Sequence, residues 1–321
     1  MLKKLLVVLL FSVSFSVQAK LESPSIPIVT PYIVGGYDAP QVYPWMAQVF
    51  LGNVRCGGVL IAESWVVTAA HCTYRSYAPN AQVAPEQVTV VLGGLLRTTP
   101  LDAQSVTVSE IYQHPQYISP TMDGPNFDYD ISLLRLSEFQ QGEFPIINLN
   151  MLSESSMLGS FMTVIGFGRI NSDPFHPVYP DVLQQGNLRL ISPQQCANYW
   201  GSSKLTDRMF CAYGTDQDAC AGDSGGPVFV NQGEDYRLLG IVSWGSLACQ
   251  GLPGVYTDIG RVCGWISDIL SQQDNITIAC AEIAPNASSD SSGGGAAAWL
   301  LVLSLPLWLF RRGRLGTNSR R

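Results

Sequence analysis

Ser224 lies in Gly222-Asp223-Ser224-Gly225-Gly226-Pro227, and His71 lies in Thr68-Ala69-Ala70-His71-Cys72. A serine hydroxyl is a poor nucleophile at neutral pH. It needs a base to take its proton and fixed donors to receive an oxyanion. Glycines beside the serine leave backbone N–H groups open to an incoming carbonyl oxygen. An imidazole titrates in the right range to be the base. The chain has 3 histidines. His114 precedes Pro115 and His176 lies in a Pro-rich loop, so both read as exposed loop residues and His71 is left for the chemistry. A serine and a histidine of this kind perform acyl transfer.

Such groups work only on a rigid support. From Ile33 to about Ile266 the chain is rich in short β-type runs, among them Val88–Leu92, Phe161–Ile165 and Leu238–Val242, with Gly, Pro, Asn and Asp between them. Helical periodicity is scarce until Val262–Leu270. The pattern indicates an all-β sandwich or barrel and does not choose between them.

On its serine and histidine motifs the chain resembles the trypsin-like (chymotrypsin-fold) serine proteases over Ile33 to Leu270. The resemblance implies an all-β fold of two six-stranded antiparallel β-barrels with a C-terminal helix. The barrels should meet near residue 145, with the active site in the cleft between them. Asp130, in Asp130-Ile131-Ser132-Leu133-Leu134, matches the acid that holds His71 in its working tautomer. Asp123 and Asp128 then read as solvated loop carboxylates. The N–H groups of Gly222 and Ser224 match the oxyanion hole. Ser243, in Ser243-Trp244-Gly245, matches the serine that bonds the buried acid and opens the substrate-binding strand.

Asp218 lies six residues before Ser224, where the resemblance implies a carboxylate at the floor of the primary pocket. It would select Arg or Lys, with Gly245 and Gly254 leaving room at the walls. Ala219 replaces a hydroxyl that would help solvate lysine, which favours Arg. The chain departs from the commonest pattern by one extra residue in Ser246–Cys249 and a shorter Cys249–Pro253, which touches the pocket rim. Gly93-Gly94 lacks the acidic residue that opens a calcium loop, so neither metal nor cofactor is expected.

Ile33-Val34-Gly35-Gly36 matches the N-terminus that such zymogens expose when cut. The freed Ile33 ammonium would pair with Asp223. The residue before the cut is Tyr32, which an Arg/Lys-specific enzyme should not cleave, so a separate activating protease is implied. All eight cysteines fall between Cys56 and Cys280, and an even count in an exported chain reads as disulfides. The resemblance implies Cys56–Cys72, Cys196–Cys211 and Cys220–Cys249. Cys263 and Cys280 remain and pair by elimination.

Lys3 and Lys4, an apolar Leu5–Phe15 and the small Ala19 read as a signal peptide, residues 1–19. Residues 20–32 follow as a propeptide, and 33–283 form the peptidase domain. Residues 284–295 are a small-residue linker ending in Gly293-Gly294-Gly295, 296–310 an apolar membrane segment, and 311–321 a basic tail. A permanent anchor, a GPI signal and a sorting tail compete for this end. The basic extension speaks against GPI. The favoured reading is resemblance to the GlyGly tail of Gram-negative bacteria, cut by a rhombosortase.

From 33 to 283 there are 10 Lys and Arg against 23 Asp and Glu, a net of −13, where the whole chain carries −7. So acidic a body does not suit nucleic acid. The expected protein is an exported monomer that hydrolyses protein or peptide substrates after Arg or Lys and passes through an activating and a sorting protease. The alternative is a catalytically inactive protease-fold binding protein.

Overall fold

A computed structural model describes residues 33–74, 82–99, 105–119, 127–140, 148–149, 157–232 and 235–280. The segments read as leader, propeptide, linker, membrane segment and basic tail lie outside the described residues, as do Tyr32, Asp123 and the expected barrel junction near 145. Among the described residues no helix is long and apolar enough to cross a membrane.

A short β1 (Tyr37–Asp38) precedes the first barrel. That barrel is built from β2 (Met46–Leu51), β3 (Val54–Ala62), β4 (Trp65–Thr68), β5 (Val88–Leu92), β6 (Ser105–Gln113) and β7 (Ser132–Leu136), closed in the order β2-β3-β4-β7-β6-β5. After β8 (Asn148–Leu149) comes the second barrel: β9 (Phe161–Gly166), β10 (Gln184–Leu190), β11 (Met209–Tyr213), β12 (Pro227–Gln232), β13 (Asp235–Trp244) and β14 (Gly254–Asp258). Its order is β9-β10-β11-β14-β13-β12, and β12 pairs back onto β9. Both are antiparallel and six-stranded, as the resemblance implied. Closure leaves the twelve barrel strands without free edges; β1 and β8 each pair on one side only.

Alternation places the cores. In β10 the chain Gln-Gln-Gly-Asn-Leu-Arg-Leu buries Leu188 and Leu190 and exposes Asn187 and Arg189. The first core gathers Trp45, Val49, Val59, Trp65, Val67 and Leu133. The second gathers Met162, Val164, Leu188, Val228 and Tyr256, together with Ile33 from the start of the domain.

The last helix runs Ile259–Asp274, longer than the Val262–Leu270 pattern suggested. The Asp258 side chain caps its start by accepting from the Gly260 N–H at 2.9 Å. Ile259, Val262, Ile266 and Leu270 form the apolar stripe that joins the first core. At its other end Asp274 accepts from the Trp65 indole at 2.8 Å and pairs with Arg135. A helix at Pro193–Trp200 had no periodic signal. It is set by a capping box in which Ser192 and Gln195 bond reciprocally, with Pro193 at its first position.

All four expected disulfides are present: Cys56–Cys72, Cys196–Cys211, Cys220–Cys249 and Cys263–Cys280. The last ties the helix to the segment after it, where Ile276 and Ile278 pack on the first core. Replacing Cys263 and Cys280 by Ser should lower the unfolding free energy by about 2–4 kcal/mol. Urea unfolding of the two proteins side by side checks this, and an unchanged midpoint would contradict the assigned anchoring.

Candidate active site

His71 stands on the short helix Ala70–Thr73, which follows β4 directly. Cys72 ties that helix to β3, and Thr73 bonds Ser132 of β7 at 2.8 Å. Asp130, which has no exposed surface, lies two residues before β7. Its Oδ2 receives the His71 Nδ1–H at 2.8 Å and the Ser243 hydroxyl at 2.5 Å. Its Oδ1 receives the His71 backbone N–H at 2.9 Å. Burial works against the charged imidazole, but the Asp130 charge and hydrogen bond outweigh it, so the His71 pKa is raised above the ordinary 6.5.

The loop that delivers Asp130 corrects two expectations. Asp128 is not a solvated carboxylate: it is buried, and Arg208 donates to both of its oxygens at 2.9 Å while Thr206 donates at 2.8 Å. A bidentate guanidinium is what makes that burial tolerable. His114 is not an exposed loop residue either. It is buried and stacked on Tyr129, with Trp265 against it. Burial pushes its pKa down to about 4, and its Nδ1 accepts from the Gln116 N–H, so it is neutral and structural. His176 is exposed as expected. Arg208 precedes β11, so Asp128 clamps the Asp130 loop onto the second barrel.

Ser224 sits between β11 and β12. Its carbonyl accepts the Gly57 N–H of β3 at 2.8 Å, which holds the turn against the first barrel. Gly225 has φ of 78°, and a Cβ there would collide with Thr68 and the Gly57 carbonyl. The approach that brings Ser224 to the His71 side therefore requires glycine. Among the described residues the N–H groups of Gly222 and Ser224 have no hydrogen-bond acceptor. His71 and Ser224 are not hydrogen bonded to each other, an arrangement common before substrate draws such pairs together.

Two further carboxylates lie beneath Ser224. Asp223 is fully buried and accepts from the Gly168 N–H at 2.7 Å and the Cys220 N–H at 2.8 Å. Burial raises its pKa to about 6. Asp218 is also buried, and its Oδ1 has no hydrogen-bond partner among the described residues. Burial raises its pKa to about 8. Above it opens a cavity of about 330 Å³ whose lining includes Ser224, Ala219, Trp244, Gly245 and Gly254. A Cβ on Gly254 would stand 2.8 Å from Asp218 Oδ1, so glycine there is what lets the cavity reach the carboxylate. Asp218 itself lies just below the lining.

Sequence reasoning missed Arg169. This arginine is buried in the cavity wall, with Nε 3.2 Å from Cys220 Sγ and Nη2 3.3 Å from Cys249 Sγ, and it donates to the Leu247 carbonyl. It fastens the lengthened Ser246–Cys249 rim onto the loop after β9. Nothing in the sequence marked it, because its partners are two disulfide sulfurs and a backbone oxygen. Phe127 stands 5.2 Å from the His71 ring.

Ile33 is buried in the second core, and Val34 is buried against Cys220 and Cys249. The Val34 carbonyl accepts from the Asp218 N–H at 3.0 Å, so the first residues of the domain bond the segment that carries the pocket floor. Ile33 has φ of 46°, a strained value for a β-branched residue. Among the described residues no group of three or more His, Cys, Asp or Glu is placed to hold a metal ion.

The trypsin family model matches residues 33–266. The chain is 36% identical over 253 residues to human transmembrane protease serine 5, which covers 76% of this chain and 52% of that protein. It is 34% identical over 260 residues to mouse kallikrein-1, covering 77% of this chain and 93% of the relative. To chicken urokinase-type plasminogen activator it is 36% identical over 259 residues, covering 73% and 56%. The chain thus spans about half of two of these relatives and nearly all of the third.

The His71–Asp130 contact predicts a titration. In an NMR titration the His71 pKa should lie above 6.5, and Asp130→Asn should lower it. A raised folded-state pKa means that the stabilisation is fully present below the unfolded value and is lost as pH rises through the folded one. A His71 pKa below 6.5 would show that burial, not Asp130, sets it.

Proposed function

The chain belongs to the trypsin family, a family of serine endopeptidases, and we propose that it is an exported member that cleaves proteins or peptides after Arg or Lys. The observation that carries the reading is the shared buried carboxylate: Asp130 binds His71 on one oxygen together with Ser243, beside Ser224 and two unoccupied N–H groups. Ser224 Oγ attacks the scissile carbonyl carbon as His71 Nε2 takes its proton. The Gly222 and Ser224 N–H groups receive the oxyanion, where one donor is worth about 10²–10³ in rate. His71 then protonates the leaving amine, and water, activated by the same imidazole, releases the acyl group. Asp130 stabilises the imidazolium throughout.

Asp218 supports the choice of side chain. An unpartnered carboxylate oxygen beneath a cavity open to solvent favours a cation that reaches it. A guanidinium entering the cavity would lower the Asp218 pKa and make it an anion. With Ala219 supplying no hydroxyl, Arg, whose fork reaches the carboxylate unaided, is preferred over Lys.

The chain is made as a zymogen cut at Tyr32-Ile33. Burial of Ile33, its strained φ and the Val34–Asp218 bond support a switch in which the cut frees the Ile33 ammonium for Asp223. The leader exports the chain, and the GlyGly tail is removed by a sorting protease. An inactive protease-fold binding protein is the weaker reading, because His71, Asp130 and Ser224 are all retained.

An organophosphonate should label Ser224. Labelling should vanish in Ser224→Ala and slow strongly in His71→Ala. Asp218→Ser should cut the rate after Arg by about 10²–10⁴, the cost of leaving a buried charge unpaired, while Ser224 still reacts with the reagent. Labelling elsewhere with hydrolysis retained would sink the assignment.

Purified precursor should stay latent until another protease is added, and Tyr32→Arg should let traces of active enzyme start a cascade. Mass spectrometry of the mature protein should show Ile33 first and a C-terminus at or just after Gly293-Gly294-Gly295. Self-activation at Tyr32 would refute the trans-activation claim, and a mature species that keeps Arg311 would make the tail an anchor.

A further inference from the structure

Arg55 and Arg97 stand out in a body with a net charge of −13. Among the described residues neither is in an ion pair. The Nη1 of Arg55 and the Nε of Arg97 are buried and have no hydrogen-bond partner. Leaving such a donor dry and unpaired is costly. Each guanidinium lies on an aromatic face: Arg55 4.7 Å from the centre of the Phe50 ring, Arg97 5.0 Å from that of Tyr179. A ring beneath the plane holds the guanidinium and leaves its edge to bond something else. Burial lowers the Arg55 pKa, and the charge of Arg97 adds to this, so the two cations are near enough to oppose each other.

Their place follows from the register. Gly57 bonds the Ser224 carbonyl, and Arg55 is two residues before it on β3, on the same face. Gln48 pairs with Gly57 across the sheet. Its side chain accepts from the Thr98 N–H at 3.4 Å and donates to the Leu96 carbonyl at 3.2 Å, on either side of Arg97. Tyr179, under Arg97, lines the cavity above Asp218. The acyl half of a substrate enters that cavity, so the leaving half runs over Gly57 toward Arg55. Two residues of strand cover about 6–7 Å, the span of two residues of extended substrate.

We infer that Arg55 and Arg97 form a carboxylate-binding subsite on the leaving side of the cleft, taking an acidic side chain or a chain-terminal carboxylate two or three residues beyond the cut bond. The inference rests on the endopeptidase reading. The substrate would then carry Arg before the bond and a carboxylate shortly after it.

Internally quenched peptides with one Arg test this, carrying Asp, Asn or Lys at the second or third position after it and an amidated end. A second set stops at that position with either a free carboxylate or an amide, which separates the two sources. An anilide with no residue after Arg reports Ser224 chemistry alone. In the active enzyme kcat/KM for Asp should exceed that for Lys about tenfold or more at low salt, in the range of one charge-assisted bond, and the ratio should shrink as salt rises. Arg55→Gln and Arg97→Gln should each reduce the ratio, and Arg97→Glu should turn it toward Lys. A ratio near one with the anilide hydrolysed, or a ratio kept in the double Gln variant, overturns the subsite alone. Failure to hydrolyse either the anilide or any peptide overturns the endopeptidase reading and the subsite with it.

Discussion

A carboxylate with no exposed surface cannot stay charged without donors arranged around it, and Asp130 sets that requirement for the whole molecule. The first barrel supplies the backbone and the ring of His71. The second supplies Ser243 from β13, and Thr257 of β14 donates to the Asp130 carbonyl at 3.0 Å. Neither barrel satisfies Asp130 alone. Burying the acid therefore fixes how the two closed sheets meet, and the cleft is the space left beside it. Asp128, clamped by Arg208 one residue after a left-handed Phe127 and one before a left-handed Tyr129, holds the same loop from its other end.

The second constraint is close approach. β3 reaches the Ser224 turn through one backbone hydrogen bond, and glycines at 57, 225 and 226 let the two chains touch. The same economy appears at Asp223, where a Cβ on Gly166 or Gly168 would overlap the carboxyl group. Side chains removed at these points leave room for a buried acid and for the backbone donors that satisfy it. The glycine motif that was legible in the sequence is thus a packing requirement as much as a reactive one.

Much of this was legible because it lies in contiguous motifs. The Ser224 and His71 segments and the β-type runs each carry their meaning within a few residues, while three cysteine pairs followed from the resemblance and the fourth by elimination. Asp130 could be chosen over Asp123 and Asp128 by its neighbours. What could not be read depends on partners distant in the chain. Asp128 looked like a loop acid because Arg208, 80 residues away, is invisible at its own position. His114 looked exposed because Trp265, from the last helix, closes over it. Arg169 had no charged partner to suggest it, and Arg55 and Arg97 meet only through the sheet register. The helix Pro193–Trp200 escaped because a two-turn helix fixed by its cap has too few residues to show a period.

The three buried carboxylates near the cleft differ in how fully the protein completes them. Asp130 has donors on both oxygens. Asp223 has one backbone donor on each oxygen, and burial still lifts its pKa to about 6. Asp218 has only the Ala219 N–H and the buried Tyr256 hydroxyl facing it, and burial carries its pKa further up, to about 8. The order matches the roles assigned to them. Under the proposed function, the second would receive a cation made by cutting its own chain, and the third one carried by the substrate. Val34 bonds the Asp218 segment while Ile33 packs in the second barrel, so one backbone hydrogen bond already ties the start of the domain to the floor of the third site.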